Sequence, residues 1–142
     1  MVISITRLRI RAWRFMPGFL VLAIRSAWQA RQAPDNLCVS LLVDADRTYW
    51  TRTGWRTETA LRAYMLAGPH RVAMTRLADW CDEAATVCWL QDEGPLPSWA
   101  ETRQRMQREG RPSRLKHPSS AHEGFRIAEQ KRPGPFSQVH LT

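Results

Sequence analysis

His70 is the residue in this chain best suited to chemistry. It follows Gly68-Pro69, a pair that closes one helix and opens the next. It also heads a stripe of His70, Met74, Leu77, Cys81 and Ala84, which step by four, three, four and three. An imidazole on an apolar stripe, near the positive end of a helix, is disfavoured as a cation. Kept neutral, it serves as a general base, a hydrogen-bond donor or a metal ligand. Its plainer role is a ring bonded to a nearby carbonyl that docks the helix. Met74, one turn further along the stripe, is a substrate-binding candidate. Trp55 ends a segment in which Tyr49, Thr51 and Thr53 share its side by alternation. Trp55 would wall a pocket and stack on a flat aromatic or polyene ligand, or else pack at a sheet edge or subunit seam. Tyr49 joins it as a substrate-binding candidate. Arg52 points the other way, with Trp50, and would hold an anionic substrate group or meet solvent.

Other chemistries find less in the sequence. Cys38, Ser40 and Asp44 share one side of a strand, but no histidine is near in sequence and no nucleophile-elbow glycines flank Ser40. A hydrolase triad is therefore not expected. His117, His122 and Glu123 fit no regular helix face and sit in a proline-rich stretch, so no metal site is expected there. Cys38, Cys81 and Cys88 form no C-x-x-C pair and read as reduced thiols. The net charge of +8 invites nucleic acid, yet residues 101–142 hold nine bases against four acids, so more than half of the excess lies there. A nucleic-acid partner is not expected, because such a footprint needs a basic stripe with interleaved aromatics on one folded face. The apolar run Phe15–Ile24 is ten residues long, half of the roughly 20 that a membrane span needs. With arginines before it, the run imitates a secretory leader, but Pro17-Gly18 interrupts it and no A-x-A site follows. A cytoplasmic protein is expected.

These side chains need elements to hold them. Residues 2–11 alternate as a strand, 17–33 form a helix, and 37–44 and 48–55 form a hairpin. Thr57 caps a short helix, a second runs over 69–84, and 85–91 returns as a strand. Ser98 and Glu101 have capping-box spacing and open a last helix, which Gly110 ends. The order strand, helix, strand, strand, helix, strand is α+β: a ferredoxin-like βαββαβ sandwich with an extra C-terminal helix. Residues 1–110 would form this domain. Residues 111–142, basic and proline-containing, would be an extended or disordered arm. With both main helices on one side, the other sheet face would be bare, and its apolar excess points to a second copy of the chain.

The residues Trp55-Arg56-Thr57-Glu58, Leu61, Tyr64, Gly68-Pro69-His70-Arg71 and Ala73-Met74 resemble the antibiotic-biosynthesis-monooxygenase-like group, including its spheroidene-monooxygenase-like members. Leu96-Pro97-Ser98-Trp99 resembles a subgroup of its bacterial members. The resemblance implies a homodimeric α+β barrel. It also implies monooxygenation of a small hydrophobic molecule, aromatic or isoprenoid, without bound metal or flavin. In that scheme the deprotonated substrate supplies the electrons and His70 is the catalytic base. The alternatives it implies are a haem-dependent oxygenase with His70 as axial ligand, or a non-catalytic small-molecule-binding protein. In haem-degrading members the ligand histidine falls one helical turn later, where this chain has Met74.

Overall fold

The computed structural model describes residues 1–128 and 138–141. Alternation of β-branched and polar residues makes β1 (Val2–Ile10), which pairs antiparallel with two neighbours at once. A 3₁₀ turn at Trp13–Phe15 leads into α1 (Met16–Gln32), which has a proline in its first turn. The hairpin follows as β2 (Asn36–Val43) and β3 (Thr48–Trp55). Then come α2 (Glu58–Met65), α3 (Gly68–Trp80) and β4 (Cys81–Leu90). Thr57 caps α2 by accepting from the amide of Ala60 at 3.1 Å. After β4 the chain makes α4 (Trp99–Glu109), capped by Ser98 as its capping-box spacing implies. It continues through β5 (Arg111–Pro112), α5 (Ser120–Glu123) and β6 (Gln138–Leu141). The sheet is antiparallel throughout, in the order β5-β4-β1-β3-β2-β6. The fold is α+β and ferredoxin-like.

Two elements depart from the sequence reading. The helix expected over 69–84 ends at Trp80, so Cys81 and Ala84 lie on β4 rather than on the stripe of His70. Pairing with β1 overrides the helical periodicity there. Arg9 holds Asp82 in a two-pronged ion pair at 2.8 Å, and Arg7 reaches Glu83 at 3.2 Å. The second departure concerns the sheet face expected to be bare. Ile3, Ile5, Leu42, Trp50, Ala85 and Val87 on that face pack against Trp99 and Met106 of α4 and against Ile127. The apolar excess is thus satisfied within one chain, which removes the observation that pointed to a second copy on this face.

The core therefore extends past Gly110. Residues 111–128 follow the molecule in a largely irregular path. Main-chain bonds from Ser113 to Ala84, Lys116 to Ala78 and Ser119 to Asp82 hold them. His122 accepts from the Ala84 amide at 3.3 Å through Nδ1 and donates from Nε2 to the Ser113 carbonyl at 2.9 Å. Both ring nitrogens are thereby used, and no cluster of metal-ligating side chains occurs among the described residues. The rest of the expected arm, 129–137 and 142, lies outside the described residues. No described helix is long and apolar enough to cross a membrane.

Candidate functional site

The opposite sheet face carries the site. Here α1, α2 and α3 roof the sheet, and a cavity of about 260 Å³ lies between the two layers. Its roof is apolar, with Phe19, Ala23 and Ala27 from α1 and Ala73 and Leu77 from α3. Its floor is a patch of small polar side chains on the three central strands: Ser4 and Thr6, Thr51 and Thr53, Thr86 and Cys88. The register puts Thr6 opposite both Thr51 and Thr86, so three hydroxyls sit side by side across the sheet. Thr6, Thr51 and Thr86 make no side-chain bond to another described residue, which leaves their hydroxyls for a ligand. The sequence reading named Thr51 and Thr53 only as neighbours of Trp55. The signal for the floor is that Ser and Thr occupy the inward positions of three strands where apolar residues would serve a sealed core.

His70 stands in the wall of this cavity, half-buried. Its Nδ1 lies 3.2 Å from the Met65 carbonyl, and a carbonyl only accepts, so Nδ1 carries the proton. In the neutral ring Nε2 then keeps its lone pair, as a base requires. Burial lowers the pKa of His70 below the usual histidine value, and the Met65 carbonyl opposes that in part. The ring packs on Tyr64 at a centroid distance of 4.5 Å. Tyr64 in turn bonds the Ser26 carbonyl at 3.2 Å, and burial raises its phenol well above the usual range, so it remains a neutral donor.

Gln29 of α1 fixes the start of α3, a role that sequence spacing did not reveal. Its amide nitrogen donates to the Ala67 carbonyl at 2.8 Å and the Tyr64 carbonyl at 3.2 Å. Its oxygen accepts from the His70 amide at 2.9 Å. The break between α2 and α3 needs Gly68 at a positive φ of 57°, a conformation that glycine adopts without a Cβ penalty. One glutamine and one glycine therefore set where the imidazole stands.

Three of the five candidate residues meet in the cavity: His70, Tyr49 and Met74. Tyr49 packs on Phe19 at 4.8 Å, and Met74 lies at an opening, 42% exposed. Trp55 does not line the cavity. It is fully buried one layer back, stacked on Tyr64 at 5.0 Å, with its indole donating to Thr53 at 2.9 Å. Alternation put it on the correct side of β3, but Tyr64 stands between it and any ligand. Arg52 lies across the sheet, 5% exposed, with its guanidinium 4.2 Å from the Trp99 ring and bonded to the Pro97 carbonyl. It is therefore separated from a ligand beside His70.

Ser40 has a histidine neighbour that sequence distance concealed. Its hydroxyl is 2.7 Å from Nδ1 of His140, its partner across the β2–β6 pairing. Ser40 is wholly buried and lines neither the cavity nor the larger groove, so the pair fastens β6 to the sheet. That groove, about 880 Å³, runs open between α1 and α2 past Trp28, Ala63 and Pro69. It is the larger hollow, but the more sheltered cavity between sheet and helices is the one that holds an imidazole and unpaired hydroxyls.

The fold recurs in solved structures. One is a Nitrosomonas europaea protein assigned as an antibiotic biosynthesis monooxygenase, 17% identical, with a TM-score of 0.57 over 64% of this chain and 98% of its own. A second is SnoaB, a cofactor-independent oxygenase from Streptomyces nogalater, 18% identical, with a TM-score of 0.53 over 68% and 97%. A third is Rv0793 from Mycobacterium tuberculosis, 13% identical, with a TM-score of 0.59 over 66% and 96%. At these identities the likeness is one of fold, that of the antibiotic-biosynthesis-monooxygenase-like proteins. No curated protein matches the sequence. The model of a family described as a domain of unknown function, DUF3291, matches residues 11–131. With that match spanning most of its length, the chain belongs to the DUF3291 family.

Proposed function

We propose that this chain oxygenates a small, flat, hydrophobic phenol in the cavity, without bound metal or flavin. The observation that carries the reading is the pairing of a neutral imidazole, its Nε2 lone pair unused, with a hydroxyl floor under an apolar roof. Such a space takes an aromatic ring with oxygen substituents, or an isoprenoid with a polar end. His70 removes the phenolic proton, and the electron-rich ring reduces dioxygen. One oxygen atom takes the place of a ring hydrogen as a carbonyl, the phenol oxygen gives up its hydrogen to become the second carbonyl, and the other oxygen atom leaves as water with those two hydrogens. For 1-naphthol this is C₁₀H₈O + O₂ → C₁₀H₆O₂ + H₂O, and the substrate supplies every electron. Met74 and Tyr49 bound the ring, and Gln29 positions the base.

The haem reading has less support. The cavity offers one imidazole as a ligand, but no arginine or lysine lines it to meet two propionates. A non-catalytic binding role uses the same walls and differs only in turnover. Oxygen uptake and naphthoquinone formation from 1-naphthol separate these readings. Uptake by colourless protein, lost in His70→Asn, is expected. Tight naphthol binding with no uptake supports the non-catalytic role, and activity that appears only on adding haemin supports the haem route.

A further inference from the structure

We propose that the outer surface of the helical layer docks on an anionic membrane surface, with the openings of the cavity turned toward the lipid. Nine of the twelve exposed large hydrophobic side chains among the described residues lie on α1 to α3, in the turn before α1 or at the C-cap of α2, so the helices, not the sheet, are left uncovered. On α1, Phe19, Ala27 and Ala30 face the sheet, while Leu20, Ile24 and Trp28 form an outward stripe four residues apart. They are 42%, 66% and 60% exposed, and Val21 beside them is 55% exposed. A helix apolar on both sides is built to be covered on both. Val72 and Met74 on α3 and Met65 on α2 add to the same layer.

The charges around this patch select its occupant. On α1 itself, Arg25 and Arg31 are the charged residues, with no acid among them. Arg25, Arg71 and Arg76 on α1 and α3 are exposed and form no ion pair with another described residue. The two acids of the layer are already engaged, Glu58 with Arg62 at 3.7 Å and Asp79 with Arg11 at 3.3 Å. A second copy fits poorly, because a two-fold contact sets the same patch against itself and brings arginine to arginine without a carboxylate. Anionic lipid supplies the missing negative charge, and its interfacial region accepts Trp28, Ile24 and Leu20. Leu20, Ile24, Met65 and Met74 also line the cavity where it reaches the surface. An apolar ligand therefore passes from lipid to cavity between apolar side chains. This last step rests on the cavity being the site, whereas adsorption to the bilayer does not.

The test is co-sedimentation of the full chain with phosphatidylcholine vesicles, with and without phosphatidylglycerol. Binding only to the anionic vesicles, released by salt, is expected. Ile24→Asp should weaken it at least tenfold, and Arg25→Glu several-fold. Arg108→Glu makes the same charge change on α4, across the sheet, and should leave binding as it was. All three positions are exposed, so melting temperatures should be unchanged. No binding to anionic vesicles, equal binding to neutral ones, or equal effects of Arg25→Glu and Arg108→Glu would overturn the proposal. So would self-association abolished by Ile24→Asp in protein that ignores vesicles. Vesicle binding in protein that fails to bind naphthol would sink the functional reading alone and leave the docking surface standing.

Discussion

At His70 the decisive feature is which nitrogen carries the proton. The Met65 carbonyl takes Nδ1–H, so Nε2 holds the lone pair that the proposed reaction uses as its base, and an asparagine can keep a donor near that carbonyl but has no such lone pair to offer. His70→Asn should therefore lower kcat by about 10²–10⁴ with an unchanged melting temperature, and full activity in stopped-flow assays would leave the ring a docking role only. The pH dependence follows from the lowered pKa. Activity should persist as pH falls through the ordinary histidine value and decline only below it. Stability shifts in the opposite sense to a salt-bridged histidine. The unfolded chain takes up the proton more readily than the folded one, so stability is full above about pH 6.5 and is lost as pH falls from there toward the folded value. Urea midpoints across that window, wild type against His70→Asn, measure it. The buried pair across the sheet gives a second residue-scale test. Arg7 and Glu83 are 3% and 4% exposed, so Glu83→Ala strands a cation in the core and should cost about 3–5 kcal/mol by chemical denaturation.

At the scale of elements, the sequence was most legible where a local signal governs the backbone. Alternation placed β1 and β3, Thr57 and Ser98 placed two helix starts, and Gly68-Pro69 placed the α2–α3 break within a residue or two. It failed where tertiary pairing decides. Cys81 and Ala84 continue a helical stripe by spacing, yet Arg7 and Arg9 draw the chain into a strand. The segment after Gly110 carries no period, because it is held by single anchors, Leu115, Phe125 and Ile127, and by bonds to main-chain atoms. In the site, the imidazole was legible from its neighbours, but Tyr64 between Trp55 and the cavity was not, since strand alternation fixes a side and not a depth. Ending the chain after Gly110 should therefore lower the melting temperature markedly instead of leaving a sound core. Ile127→Ala in the full chain should cost about 2–4 kcal/mol, because the side chain closes the α4 face of the sheet.

At the scale of the whole molecule, one sheet is closed on one side by α4 and residues 125–128 and roofed on the other by helices that leave a hollow. Because the face beneath α4 is satisfied within the chain, the thermal midpoint should not depend on protein concentration, as it does when partners complete each other's cores. A midpoint that rises with concentration would show that a subunit contact carries part of the stability. The hollow is the functional claim, and isotope-edited NMR with 1-naphthol tests it most directly. Naphthol should shift the imidazole of His70 and the methyls of Thr6, Thr51 and Thr86 together, with one dissociation constant. Shifts confined to Trp28 and Ala63 in the open groove, with His70 unmoved, would contradict it.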